Sequence, residues 1–149
     1  MADSPFPFID GISEEATGTA IDQTAQADLP IWREYAWDFS TNDFVLVDGN
    51  PVRLEGLPAL EIWMYKTMRT ERFRYLAYSW EYGHELDSLL GQRSAPDKSE
   101  AERFVREALS SPYVLAFSDF EIEQSDDVLN LSFTAETVYG EVRIDGYRL

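Results

Sequence analysis

Four carboxylates, Glu71, Glu81, Glu85 and Asp87, crowd into the stretch Thr67 to Gly91 with the chain's only histidine, His84, and the aromatic residues Phe73, Tyr75, Tyr78, Trp80 and Tyr82. Two carboxyls flanking a sugar ring, one kept protonated by apolar surroundings, perform glycoside hydrolysis, and aromatic rings stack sugars. With 28 acids in 149 residues such pairs also arise by chance, and surface carboxylates paired with arginines are the plainer reading. Other chemistries lack their residues. There is no cysteine and a single histidine, so thiolate chemistry and a two-histidine metal site are out. No G-x-S-x-G, G-x-x-x-x-G-K-[ST] or G-x-G-x-x-G pattern occurs. His84, without a partner motif, reads as a packed or capping residue. The expectation is a non-enzyme with no catalytic residue, no metal and no cofactor.

Lys66, Arg69, Arg72 and Arg74 stand out in a chain of net charge -16. Spaced at i, i+3, the first three fall on one side of a helix end. There they neutralise terminal carbonyls and pair with Glu71, Glu81 or Glu85, or they form a docking patch for an acidic neighbour. The acid excess argues against nucleic acid as a partner, because phosphate contacts need a basic face. It fits solubility, docking onto basic partners, or mimicry of nucleic acid. No apolar run reaches the ~20 residues of a membrane helix, and no secretory signal is evident. A soluble protein of a reducing cytoplasm is expected. The 4 Trp, 8 Tyr and 9 Phe exceed what one core of this length needs, so some should lie at a partner surface.

The elements that must position these residues read as follows. Residues 1–29 carry Asp3, Asp10, Glu14, Glu15, Asp22 and Asp28 and no Lys or Arg. They read as an acidic, extended or partly disordered arm, with Pro5-Phe6-Pro7-Phe8-Ile9 as its one apolar anchor. Residues 30–149 read as a single domain. Alternation over Trp32–Phe39, turns at Ser40–Asp43 and Asp48–Pro51, and short apolar runs between them predict a β-meander. Gly56 to Thr70 is a helix with Pro58 in its first turn and a face of Leu60, Trp63, Met64, Thr67 and Met68. Phe73 to Trp80 reads as extended, and Tyr82 to Leu90 as a short helix that Gly91 ends. After a polar linker, Ser99 and Glu102 form a capping box for a helix with Ala101, Phe104, Val105, Ala108 and Leu109 inward. Tyr113–Glu123, kinked near Ser118-Asp119, then Val128–Tyr139 and Glu141–Asp145, are strands. The fold class is α+β: an N-terminal meander, two to three helices, and C-terminal antiparallel strands, expected to form one mixed sheet with helices on a face. The terminal strand is a candidate open edge for strands of other chains.

These residues also carry a resemblance. Arg33–Phe39, Gly49, Ala59–Trp63, Arg69-Thr70-Glu71-Arg72-Phe73-Arg74-Tyr75, Tyr78-Ser79-Trp80, Tyr82-Gly83-His84-Glu85-Leu86 and Leu90-Gly91 resemble the XkdS-type proteins of defective prophages. Those are a branch of the small baseplate-wedge, sheath-initiator family of contractile phage tails and R-type bacteriocins. The likeness spans roughly residues 31 to 145, with Thr137 to Glu141 as support. It implies a structural baseplate part, present in six copies around the tube or hub. Such a part holds wedge proteins and presents a sheet to which the first ring of sheath subunits adds strands. Sheath docking then falls to Val138, Tyr139, Gly140, Glu141, Val142, Arg143 and Ile144. Partner docking falls to the motif residues Arg69, Thr70, Glu71, Arg72, Phe73, Arg74, Tyr78, Trp80, Tyr82, Gly83 and Glu85. Sheath, wedge and hub or tube proteins are the implied partners. The implied places are the bacterial host cytoplasm during assembly and then the baseplate of the mature tail. In the wider family a Glu-Pro-Arg element precedes the late strands; here Ser111-Pro112-Tyr113 keeps the proline and neither charge. Some relatives are described as lysozyme-like, which leaves a carboxylate-dependent peptidoglycan hydrolase of the tail as the alternative.

Overall fold

The computed structural model describes residues 28–90, 97–125 and 128–149. The acidic arm lies outside these residues but for its last two, and most of the polar linker and Gly91 lie outside them as well. Residues from Ile31 to Leu149 belong to one compact unit.

Its first part is built from six short strands: β1 (Arg33–Tyr35), β2 (Trp37–Asp38), β3 (Asp43–Phe44), β4 (Leu46–Val47), β5 (Asn50–Pro51) and β6 (Arg53–Glu55). They are not a meander. They form three two-stranded antiparallel ribbons, β1 with β6, β2 with β3, and β4 with β5. The ribbons meet at a ring of three backbone hydrogen bonds: Ala36 N–H to Val52 C=O (2.8 Å), Val52 N–H to Val45 C=O (3.0 Å) and Val45 N–H to Ala36 C=O (3.0 Å). Trp32 and Glu34 alternate inward with exposed Arg33 and Tyr35 as expected. The alternation ends at buried Ala36, because the chain changes partner there and its period-two register is reset. Asp48 (φ 51°) and Gly49 (φ 79°) supply the two left-handed residues of the tight turn joining β4 to β5.

Helix α1 (Leu57–Met68) follows, with Pro58 in its first turn. Leu60, Met64, Thr67 and Met68 are fully buried. Trp63 is half-buried and meets Trp32 edge to face, with ring centroids 5.2 Å apart. The helix expected over Tyr82–Leu90 is reduced to a single 3-10 turn, Leu86–Leu89. Gly83 at φ 99° cannot continue a right-handed helix, so only the leucines beyond it wind up. Helix α2 (Lys98–Ala108) buries Ala101, Phe104, Val105 and Ala108, as its periodicity required. Its cap is Asp97 rather than Ser99. The Asp97 carboxylate accepts from the Ser99 backbone N–H at 2.9 Å and from the Ser99 hydroxyl at 2.7 Å. An aspartate two residues earlier satisfies an orphan donor of the first turn and adds a charge at the positive end of the helix dipole.

The last part is a three-stranded antiparallel sheet of β7 (Val114–Ser125), β8 (Val128–Thr137) and β9 (Gly140–Arg148), with β8 in the middle. Leu129, Leu131, Phe133, Ala135 and Thr137 of β8 point into the core, matching the alternation. The expectation of one mixed sheet does not hold: the ribbons and this sheet are separate, and among the described residues every pairing between named strands is antiparallel. Helix α1 packs on β1 and β6 and also touches β9, while α2 packs on β7. The two-residue strands of the ribbons are too short to extend the three-stranded ladder, so the link is made by side chains instead. Tyr113 carries much of it: its ring meets Trp32 at 4.8 Å and stacks on Tyr139 at 6.1 Å. The Tyr139 hydroxyl accepts from the Trp32 N–H at 2.8 Å.

Phe133 is the largest fully buried side chain, and Phe117 and Phe120 pack on it. Phe133→Ala is expected to cost about 3–5 kcal/mol in urea unfolding, by lost burial and a residual cavity. Asp97→Ala should cost about 1 kcal/mol and more than Ser99→Ala; the reverse order would return the cap to Ser99.

Candidate functional site

Two surfaces collect the residues singled out by sequence: the loop between α1 and the 3-10 turn, and the outer edge of β9.

The loop begins where α1 runs out. Thr70 Oγ1 donates back to the Lys66 carbonyl at 2.9 Å, and the chain then leaves the helix. Its neck is closed by two backbone hydrogen bonds. The Arg72 N–H donates to the His84 carbonyl (2.8 Å), and the His84 N–H donates to the Thr70 carbonyl (2.9 Å). Gly83 makes this closure possible. A Cβ there would lie 2.5 Å from the Thr70 carbonyl oxygen and 3.0 Å from the Arg72 nitrogen, and φ is 99°. Phe73, at φ 69°, holds a left-handed conformation that bulky L residues rarely adopt.

Beneath the neck lies His84, 2 % exposed. Its Nδ1 accepts from the Leu86 N–H at 3.2 Å and lies 3.6 Å from Asp87 Oδ2. The ring also bonds the Met68 carbonyl, which accepts from the Tyr147 hydroxyl as well. Burial, partly offset by Asp87 and Glu71, holds the His84 pKa below its ordinary 6.5, so the ring is neutral at neutral pH. Burial, with Asp87 adding to it, pushes the Tyr147 hydroxyl up to about 12. His84 is thus the packed, capping residue its isolation suggested.

Above the neck the loop offers its aromatic residues to solvent. Phe73 is 61 % and Trp80 81 % exposed, and Tyr75, Leu76 and Tyr78 are exposed as well. Tyr82 is half-buried and leans on Tyr78, with centroids 4.8 Å apart. Phe73 to Trp80 is therefore a turn-rich loop rather than an extended strand, pinned by Tyr78 N–H to Tyr75 C=O (3.2 Å) and Tyr82 N–H to Ser79 C=O (3.1 Å).

The basic residues do not share one face. Because α1 stops at Met68, they diverge. Lys66 pairs with Glu34 (3.0 Å), Arg72 with Glu85 (3.2 Å) and Arg74 with Glu71 (2.8 Å). Arg69 lies over the Phe39 ring at 4.6 Å. The same pairs occupy Glu71 and Glu85, two of the carboxylates a hydrolase would need. Tyr75 and Tyr78 of the loop come together with Trp37 and Phe44 of the β2–β3 ribbon around Lys66 and Arg69, forming a groove of about 540 Å3. Trp37 and Phe44 were not among the site residues expected from sequence. Their alternation suggested only strand, and nothing local pairs residue 44 with residue 75.

At the other surface, the seven residues expected to dock a sheath strand divide. Val138 and Tyr139 form the β8–β9 turn and are engaged inside the chain. The Val138 N–H donates to the Tyr113 carbonyl at 3.0 Å, and Tyr139 holds Trp32. Gly140 to Ile144 are strand, paired one to one with β8, with Val142 and Ile144 buried in the core. Among the described residues, no strand pairs with the outer edge of β7 or of β9. The edges differ. β7 carries two bulges, at Leu115 and at Asp119-Phe120, which break its edge into short pieces. β9 is regular from Gly140 to Ile144, and its bulge comes only at Asp145-Gly146, where Gly146 adopts φ 60°.

The family model of contractile injection system sheath initiators matches residues 33–140. The chain belongs to this family. It is accordingly a structural component of a contractile injection system. It is also similar to the phage-like element PBSX protein XkdS of Bacillus subtilis (strain 168), 35 % identical over 96 residues, covering 62 % of this chain and 68 % of the relative. The matched span includes the ribbons, α1, the aromatic loop, α2 and the first residue of β9. Within the matched span, Tyr113 is 7 % exposed and packed between Trp32 and Tyr139.

Two outcomes test the neck. Gly83→Ala should expose the Arg72 and His84 amides to hydrogen exchange and cost more than about 1 kcal/mol, through both the clash and the positive φ. Unchanged protection would mean that the neck tolerates a Cβ. As pH falls below 6.5, the unfolded chain takes up a proton at residue 84 before the folded one does. Stability therefore falls, by up to about 1.4 kcal/mol per pH unit, until the folded form titrates. His84→Gln should flatten urea-unfolding free energies between about pH 6.5 and 5.5.

Proposed function

We propose that this sheath initiator joins wedge and hub proteins of the baseplate to the first sheath ring by strand addition at β9. The observation that carries the reading is the unbulged outer edge from Gly140 to Ile144, beside an edge on β7 that bulges twice. Strand addition draws its affinity from main-chain hydrogen bonds and needs a run of free, regularly spaced donors and acceptors. Inward-facing Val142 and Ile144 hold β9 to the core, so the edge is rigid before a partner arrives. Glu141 and Arg143, exposed on the other face, would set register against the incoming strand.

The motif residues serve a second contact. Arg69 to Glu85 build and brace the aromatic loop, and the exposed rings of Phe73, Tyr78 and Trp80 are the anchors offered to a wedge or hub protein. Arg72, Glu85, Arg74 and Glu71 hold the loop in shape and do no chemistry. On this reading the protein is not an enzyme. It stands in six copies around the tube, assembles in the host cytoplasm and remains in the baseplate. Residues 1–29 act as an acidic arm, and residues 30–149 as the single domain.

Particles assembled without this chain should carry tubes lacking sheath in electron micrographs. In a map of the intact particle, a sheath strand should lie antiparallel or parallel to Gly140–Ile144. Sheathed, contractile particles in the chain's absence, or a β9 edge bare of any sheath strand, would sink the proposal.

A further inference from the structure

The groove between the aromatic loop and the β2–β3 ribbon is not needed for strand addition, and its lining has an unusual composition. Two cations line it, Lys66, which Glu34 pairs at 3.0 Å, and Arg69, which lies over the Phe39 ring at 4.6 Å, in a chain where acids outnumber bases 28 to 12. Lys66 Nζ lies 5.3 Å from the Trp37 ring centre and 5.9 Å from that of Phe44, so the charge sits within an aromatic frame. Tyr75 and Tyr78 face them across the groove and are about half exposed. Such a site suits an extended peptide that brings carboxylates to the cations and apolar or proline rings to the tyrosines.

The chain itself carries such a peptide. Residues 1–29 hold six of its acids and none of its Lys or Arg. Their one apolar cluster, Pro5-Phe6-Pro7-Phe8-Ile9, is flanked by Asp3 and Asp10. Residues 1–27 precede the described part, and a segment of that length spans up to about 90 Å when extended, enough to reach another molecule. We infer that residues 3–10 of one copy dock in the aromatic, cationic groove of a second copy. Proline has less backbone freedom to lose than other residues, which lowers the ordering cost of docking such a segment. In this docking Phe6 and Phe8 would meet the Tyr75–Tyr78 wall, and Asp3 or Asp10 would reach Arg69, while Lys66 stays with Glu34. Copies linked in this way form a chain of head-to-tail contacts, which closes into a ring if the rotation between neighbours permits. The occupant is thus a second copy, and its recognition is independent of the β9 edge.

The absence of cysteine allows a clean test with the full-length chain. Isotopically heavy chain bearing Ser4→Cys is mixed with light chain bearing Tyr75→Cys and treated with a thiol-specific bismaleimide. A heavy–light cross-linked pair, identified by mass, is expected. Adding Phe6→Ala and Phe8→Ala to the first partner should lower its yield about tenfold or more, as loss of buried aromatic anchors does. Arg69→Glu in the second partner should lower it comparably, and raised salt should weaken it. Circular dichroism of each variant checks that the fold is retained. The inference is overturned if no heavy–light pair forms. It is equally overturned if the yield matches that of a control partner with Arg53→Cys, or if a chain bearing both cysteines cross-links only within itself at every concentration. Because β9 takes no part, strand-addition variants should leave the cross-link unchanged.

Discussion

The C-terminal end of α1 is the joint on which the rest of the molecule depends. A helix leaves its last carbonyls without partners, and burying them unpaired would be costly. Here they are satisfied by groups from two distant places in the chain. The Met68 carbonyl accepts from Tyr147 of β9 and bonds His84, and the Thr70 carbonyl takes the His84 N–H. One set of orphan acceptors thereby fixes the helix, the root of the aromatic loop and the last strand relative to one another. His84 and Met68 are buried and Tyr147 is half-buried, so removing the His84 ring would leave part of this joint unpaired in the core.

From this joint the two surfaces acquire their rigidity by different means. The loop has almost no apolar burial of its own, since every residue from Phe73 to Trp80 is exposed. It keeps its shape through the closed neck and the ion pairs Arg72–Glu85 and Arg74–Glu71. Exposed ion pairs are individually weak. The neck, partly buried and dependent on Gly83, therefore carries most of the constraint. The edge strand β9 is held by the core through Val142 and Ile144, and across the sheet by Arg143, Thr134 and Asp119, whose side chains connect all three strands. One surface is ordered by hydrogen bonds around a glycine and the other by hydrophobic packing. Both leave a partner little ordering entropy to overcome.

Two of the loop's carboxylates are committed to ion pairs. Glu71 and Glu85 are held by guanidinium groups, and the lone histidine is neutral and enclosed. The aromatic excess that looked too large for a core is divided in two. Phe120 and Phe133 fill the centre, and Phe104 is buried on α2, whereas Tyr75, Tyr78 and Trp80 remain outside.

Local pattern was enough to establish the two helices, their buried faces, the half-buried strand β8, the kink in β7 at Asp119 and the α+β class. Each of these rests on periodicity or backbone preference that neighbours in sequence impose on one another. The residues that carry the family resemblance were also visible in sequence, because their types and spacing are specific. Tertiary structure alone decided how they are used. It divided the basic run among separate partners, because α1 ends at Met68 instead of continuing through Arg72. It broke the expected meander into three ribbons, because the pairing changes at Ala36. It enlisted Tyr139 and Val138 for internal contacts and left Gly140 to Ile144 as the regular edge. These outcomes depend on contacts between residues far apart in the chain, such as Trp32 with Tyr139 and Met68 with Tyr147. No local propensity encodes such contacts, since they exist only once the chain has packed.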